Sequence, residues 1–167
     1  SGLDSIGGYA GYEGKGWLEV HRTAHGLGMR AMAAKVFGGR ETAEQRVELL
    51  ERVRGLQEET GGFRGFVPVA AEAPGGRELD GLTAVERLKA LAISRMVLEN
   101  VEHVQVSAGG QGLKVLQMGL RFGANDVGSV LLDGTDDTTE EDLRRVIRGA
   151  GFKPVQRDTL YRTMFLG

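Results

Sequence analysis

The residues that could carry chemistry in this chain are few, and each also admits a structural role. Lys35 is the one charge within the otherwise apolar run Ala31 to Phe37. An ammonium near the end of a strand can bind a carboxylate or a ribose hydroxyl, or it can snorkel to water. Glu41 and Glu72 follow the first two strand-like runs. A carboxylate there can act as a general base or hold a hydroxyl, and it can equally be a helix N-terminal charge or a solvated loop residue. Ser107 ends the next short run and is followed by Gly109, Gly110, Gln111 and Gly112. Backbone N–H groups in such a turn, at the start of a helix, favour an anion, although a tight glycine turn needs no ligand. His21 and His25 stand four apart, the spacing that lets two imidazoles share a metal ion. No glutamate lies between them and no third ligand is near, so no metal site is assigned; the alternative is that both flank an apolar helix stripe.

Composition narrows the classes. With 41% hydrophobic and 26% charged residues over 167 positions, the chain suits one globular domain with a buried core. The net charge of −2 comes from interspersed acids and bases, which gives no electrostatic case for a nucleic-acid partner. The densest basic group, Arg144, Arg145, Arg148, Lys153 and Arg157, reads as the solvated face and C-terminal turn of a helix, with an anion site as the alternative. The absence of cysteine excludes disulfides, thiolate metal ligands and a thiol nucleophile, and fits a reducing, cytoplasmic setting. No apolar run approaches the roughly 20 residues of a membrane span, and no signal-peptide layout opens the chain.

The elements that must position these residues alternate between strand and helix. Residues 1–16 read as a strand end and a glycine-rich loop, residues 17–151 as repeated strand–helix units, and residues 152–167 as a C-terminal tail. Trp17, Val20, Ala24 and Leu27 mark a helix face that Gly28 ends. Ala31 to Phe37 reads as a parallel strand covered on both faces. Thr42 with Gln45 opens a helix carrying Leu49, Leu50, Val53 and Leu56 inward, and strand Phe63 to Val69 follows. Thr83 with Glu86 opens a helix burying Val85, Leu88, Ala92 and Met96. His103 to Ser107 is the next strand, Leu113, Leu116 and Leu120 the next helix stripe, and Val127 to Leu132 a further strand. Asn125 and Asp126 read as turn and capping residues. Thr138 with Glu141 caps a last helix with Leu143, Val146, Ile147 and Ala150 inward.

Such alternation specifies an α/β fold of parallel strands with crossover helices. An open doubly wound sheet and a section of a (β/α)₈ barrel both satisfy it. The sequence lacks a Gly-x-Gly-x-x-Gly turn after its first strand, which favours the barrel section. Roughly four strands cannot close a barrel, since closure takes about eight, so two open edges are expected.

Several blocks carry a family resemblance. Trp17 to His25, Leu56 to Phe63, Leu120 to Asp126 running into Gly128 to Val130, and Gln156 to Tyr161 resemble segments of the radical S-adenosylmethionine enzymes of the menaquinone futalosine pathway. Those enzymes are cyclic dehypoxanthinyl futalosine synthase, aminofutalosine synthase and the related FO synthase. Gly2 to Ile6 is similar to the end of a fourth barrel strand, and Phe122 to Val130 and Arg157 to Leu166 look most like the cyclase.

The resemblance implies strands five to eight of a TIM-type barrel, about half of it. In such enzymes the other half carries the Cys-x-x-x-Cys-x-x-Cys loop, a 4Fe-4S cluster and most of the S-adenosylmethionine site. This half would line the substrate side for a nucleoside-type substrate, with Lys35, Ser107, Gly110, Gln111 and Gly112 as binding residues and Glu41 and Glu72 as weaker catalytic candidates. The chain alone would bind no cofactor and be inactive. Its partner would be the missing N-terminal half, or a second copy paired through open edges in a non-catalytic assembly module. Departures gather at strand ends: Gly39 and Arg40 stand where the family has a histidine, Pro68 to Pro74 lacks the expected aromatic character, and Asp133 and Gly134 replace a longer loop. That pattern fits a fragment, an edited form or a homologue without the activity.

Overall fold

The computed structural model describes residues 14–37, 42–70, 83–107, 112–128 and 138–164. In chain order the elements are α1 (Gly14–Gly26), β1 (Ala31–Phe37), α2 (Ala43–Thr60), β2 (Phe63–Ala70), α3 (Ala84–Val97), β3 (His103–Val104), α4 (Gly112–Arg121) and α5 (Glu140–Gly149). The three strands form one parallel sheet in the order β1-β2-β3, so the fold is α/β with a helix in each connection. None of the helices among the described residues is long and apolar enough to cross a membrane.

Alternation along the strands divides the sheet into two unlike faces. Ala33 pairs with Phe66 and Phe66 with Val104, and all three are fully buried. Ala33 and Phe66 face Leu49, Leu50, Val53 and Leu56 of α2 and Ala90 of α3, in one core with Trp17 and Phe37. A second core gathers Leu91, Val104, Val106, Leu116, Leu120, Leu143 and Ala150. Neighbouring residues of α3, Ala90 and Leu91, therefore join the two cores. The opposite face carries Met32, Gly65 and His103 in one row near the strand N-termini.

Local chemistry sets the helix ends. The Thr42 hydroxyl accepts from the Gln45 backbone N–H at 3.3 Å while the Gln45 side chain accepts from the Thr42 N–H at 2.9 Å. Such a cap is worth about 1 kcal/mol. α2 stops at Gly61, whose φ of 59° is left-handed and whose N–H bonds to the Gln57 carbonyl. The Gln57 side chain then accepts from Phe63 N–H at 2.8 Å and donates to the Phe63 and Asn100 carbonyls, tying the helix end to the start of β2. Thr83 and Glu86 cap α3 in the same way.

Several expectations change. The cap of α5 is Thr139 with Asp142, one residue later than Thr138 with Glu141, because the adjacent threonines offer two overlapping capping boxes. In α3 it is Ala90, Leu91 and Ser94 that are buried, whereas Val85 and Met96 are 60% and 78% exposed. Apolar residues surround that helix, and the small Ala90 and Ser94 let it approach the sheet; the Ser94 hydroxyl is satisfied by the Ala90 carbonyl at 2.7 Å. In α1, Val20 and Leu27 are exposed, while Trp17 and His25 are buried. The strand expected over His103 to Ser107 has a two-residue ladder with β2, and beyond it successive residues bond to opposite sides, as in a central strand. Gln105 N–H still bonds to Phe66, but Val106 N–H bonds to Asp126. A parallel bridge joins Gln105 to Asp126, and most of the strand expected at Val127 to Leu132 lies outside the described residues.

The connection to Asp126 is held by side chains. Asn125 accepts from Val104 N–H at 2.9 Å and donates to the Glu102 carbonyl. The Arg95 guanidinium donates to the carbonyls of Gly123 and Val101 and to the Asn125 side chain, with distances of 2.9 to 3.0 Å. Burial lowers the Arg95 pKa, and these acceptors surround it in place of water.

Gly62 shows how closely α1 meets the start of β2: a Cβ there would lie 2.0 Å from Cγ of the buried His25 ring. Gly62→Ala is expected to destabilise the protein by roughly 1–3 kcal/mol through overpacking. Urea melts of Gly62→Ala, His25→Ala and the double variant check this, and the double variant should lose clearly less than the sum of the two.

Candidate functional site

Barrel and doubly wound enzymes place chemistry at the C-terminal ends of parallel strands. Here that end carries a cleft lined by Phe37, Pro68, Val69 and Ser107 and, from α3, by Arg87, Leu88, Ala90 and Leu91. Phe37 closes β1, and the Arg46 guanidinium stands 6.0 Å from its ring centre. Val69 is 39% exposed, so the end of β2 is open to ligand or solvent. Ser107 and Arg87 sit together in this wall, and both interact within the chain.

The expected site residues are distributed unevenly. Lys35 is 3% exposed and shares the helix-covered face of β1 with Ala33 and Phe37, so its stem runs in the core rather than on the face that carries Met32. Its ammonium, like Ser107, interacts within the chain. Gly112 opens α4 with a φ of 74°, which suits glycine at that turn. Glu41, Glu72, Gly110 and Gln111 lie outside the described residues. The structure thus brings Ser107 to the cleft, while Lys35 lies on the same helix-covered face as Phe37 but outside the cleft lining.

The opposite end holds a cluster that the sequence reading divided among a turn, a helix face and a tail. Asp126, with a side chain only 8% exposed, accepts from Arg157 Nε at 3.2 Å and from Nη2 as well. The Tyr161 hydroxyl donates to Asp126 at 2.8 Å and lies 3.0 Å from Met32 Sδ. The Tyr161 ring is sandwiched between the His103 imidazole, 4.1 Å away, and the Arg157 guanidinium, 3.8 Å away. Arg157 is therefore no part of a solvated helix face. Burial alone would lower its pKa, and the Asp126 carboxylate more than reverses that. Burial raises the Tyr161 pKa, with Asp126 adding to it, and burial lowers that of His103. Removing one partner of a pair this buried costs about 3–5 kcal/mol. Turn residues that also gather a distant arginine and tyrosine leave no local sequence signal, since their partners lie 31 and 35 residues away.

The two helical histidines belong to an aromatic stack. Trp17, His21 and His25 share one face of α1, and the rings of all three meet Phe63, with His25 edge-on at 4.7 Å. His21 Nδ1 is 3.0 Å from the Trp17 carbonyl. The Thr60 hydroxyl gives its proton to the Leu56 carbonyl at 2.7 Å, so it accepts from His25 Nδ1–H at 2.7 Å. This network assigns the tautomer and leaves His25 Nε2 buried without a partner. Among the described residues no group of three metal-binding side chains converges on it.

Burial, reinforced by His21 and Arg30, holds the His25 pKa below the ordinary imidazole value. The unfolded chain therefore binds a proton more readily than the folded one. His25 contributes stability above the unfolded imidazole pKa of about 6.5, and that stability is lost as pH falls through the lower folded value. Urea midpoints measured from pH 7.5 to pH 5 should drop more steeply for the natural protein than for His25→Gln. His103 shifts in the same direction in both proteins and cancels in the comparison.

Residues 77–166 match the family model described as the CofH/MqnC C-terminal region. The chain is 37% identical to the aminodeoxyfutalosine synthase of Thermus thermophilus, over 89% of its own length and 44% of that enzyme's. It is 36% identical to the cyclic dehypoxanthine futalosine synthase of Streptomyces coelicolor, over 89% of its length and 40% of the relative's. A 5-amino-6-(D-ribitylamino)uracil–L-tyrosine 4-hydroxyphenyl transferase of Methanothermobacter thermautotrophicus is 37% identical over 87% of this chain and 44% of the enzyme. The chain thus spans less than half the length of these relatives. The family model covers more than half of the chain, and on that ground the chain belongs to the CofH/MqnC C-terminal region family.

Proposed function

We propose that this chain forms the substrate-side half of a radical S-adenosylmethionine enzyme of the futalosine route to menaquinone, contributing strands five to eight of a TIM-type barrel. The observation that carries the reading is the pairing of a parallel β1-β2-β3 sheet with a match to the C-terminal region of that family. The four-strand count rests on the parallel bridge at Asp126, where a further strand would begin.

The cluster chemistry needs thiolates, and a chain with no cysteine offers none, so its residues do not fit an iron–sulfur cluster. The chain's own share is a wall. Ser107 would offer a hydroxyl to a nucleoside-type substrate, and Gly112 together with Gly110 and Gln111 would offer a turn able to hold an anionic group. Lys35 would act from the helix-covered face of β1, and Glu41 and Glu72, which follow β1 and β2 in sequence, would supply carboxylates. The relatives are named for different reactions while their identities to this chain are nearly equal, so the substrate is assigned by class only.

An anaerobic complementation assay tests this. The chain is mixed with the cluster-bearing N-terminal half of the Thermus thermophilus relative, S-adenosylmethionine and each candidate substrate. Release of 5′-deoxyadenosine above that of either half alone is expected. No complex between the halves at tens of micromolar, together with no release, would sink the proposal. A stable homodimer in light scattering would favour the edge-paired assembly module instead, for which the open β1 edge of the described sheet is the supporting feature.

A further inference from the structure

We propose that residues 156–164 form a strap that braces the two sides of the sheet against each other and closes the N-terminal end of the face turned away from α2 and α3. The segment is a built loop. Arg157 bridges to Thr163, Met164 N–H bonds to the Gln156 carbonyl, and Asp158 N–H bonds to the Arg162 carbonyl. The Asp158 carboxylate fills the bend, accepting from the N–H groups of Leu160 and Arg162 at 2.8 and 2.9 Å and from the Arg162 guanidinium at 2.7 Å. At its tip, Tyr161 has a φ of 62°, and among the described residues it is the one non-glycine residue with a positive φ. A tyrosine stays in that left-handed conformation only when its surroundings over-determine it.

Those surroundings come from both sides of the sheet. Met32 lies on β1, at one edge, and Asp126 lies on the far side, beyond β3. The Tyr161 oxygen touches both, reaching the Met32 sulfur across 129 positions of sequence. Between them the ring covers His103, whose row on the sheet is completed by Gly65. Gly65 leaves room for this arrangement, because a Cβ there would lie 2.8 Å from Met32 Sδ. Along the strands toward their C-terminal ends the same face bears Ala34, Val36 and Val67, half-buried, and then the exposed Val69. The strap therefore gives that face a floor at the strand N-termini. It also fixes the separation of the sheet's two sides at that end. None of this depends on the reaction assigned above.

Methionine oxidation reads the strap directly, since a thioether is oxidised where peroxide can reach it. The intact chain, Tyr161→Ala and Tyr161→Phe are exposed to dilute hydrogen peroxide and followed peptide by peptide. Met96, 78% exposed, serves as the fast reference, and emission from the buried Trp17, on the other side of the sheet, reports the fold. In the intact chain Met32 is expected to oxidise several-fold more slowly than Met96. Tyr161→Ala should bring Met32 close to the Met96 rate, and Tyr161→Phe, which keeps the ring and loses the hydroxyl, should fall between, with Trp17 emission unchanged in both. The proposal is overturned if Met32 matches Met96 in the intact chain or if Tyr161→Ala leaves its rate unchanged. It is equally overturned if Tyr161→Ala shifts Trp17 emission to that of an exposed indole, because Tyr161 would then belong to the cooperative core rather than to a strap.

Discussion

The rest of the structure hangs on one row of side chains, Ala33, Phe66 and Val104, stacked across three parallel strands with no exposure to solvent. Parallel strands cannot be joined by a tight turn, so each connection must travel back, and the helix that makes the journey covers this row. Phe66 is the largest fully buried side chain in the core and touches both neighbours in the ladder. A side chain of that size removed from water is worth roughly 1.5–3 kcal/mol. Because side chains alternate, burying this row commits Met32, Gly65 and His103 to the other face. The scaffold and the partly open face are thus one decision taken twice. Whatever covers the second face must reach it from the chain's ends or from elsewhere.

That constraint also explains which parts of the molecule the sequence reveals. The extents of β1 and β2, the stripe of α2 and the capping boxes at Thr42 and Thr83 are legible, because each signal lies within a few residues of the structure it produces. The faces of α1 and α3 are not. Apolar residues occur on more than one side of each, and tertiary contacts choose among them: Phe63 selects Trp17, His21 and His25, and close approach to the sheet selects Ala90 and Ser94. The two cap solutions at Thr138 and Thr139 are equivalent in pattern, and only the folded geometry separates them. At the candidate site, Ser107 and Gly112 are positioned by β3 and α4 as the strand–helix order suggests, while Lys35 shows the weakness of reading a strand without its facing. The position of Lys35 in the run was plain; its side of the sheet depends on whether Ala33 or Met32 meets the helices.

The Asp126 cluster was illegible for a different reason. Its members are common surface types, Asp, Arg, Tyr and His, at spacings with no period, and their meaning lies in convergence. A buried carboxylate beside a guanidinium and a phenol has the look of chemistry, yet its place argues otherwise. It sits where the parallel strands begin, the end that parallel α/β enzymes use for stability, and its hydrogen bonds are already satisfied within the protein. Perturbed titration marks structural networks as well as active sites, and position along the strand separates the two.

Position along the strand also bears on what the relatives have in common. Enzymes named for three different reactions resemble this chain almost equally, at 36% to 37% identity over 87–89% of its length. Equal likeness across unlike chemistry is expected of a shared scaffold, since one fold hosts many functions. The described residues agree with that division in physical terms: their strongest interactions, the Phe66 row, the Arg95 web of carbonyls and the Asp126 cluster, hold strands in register at their starts and centres. At the strand C-terminal ends Val69 is exposed and Ser107 lines the cleft. A scaffold fixed at the strand starts can carry different loops at the strand ends without being rebuilt.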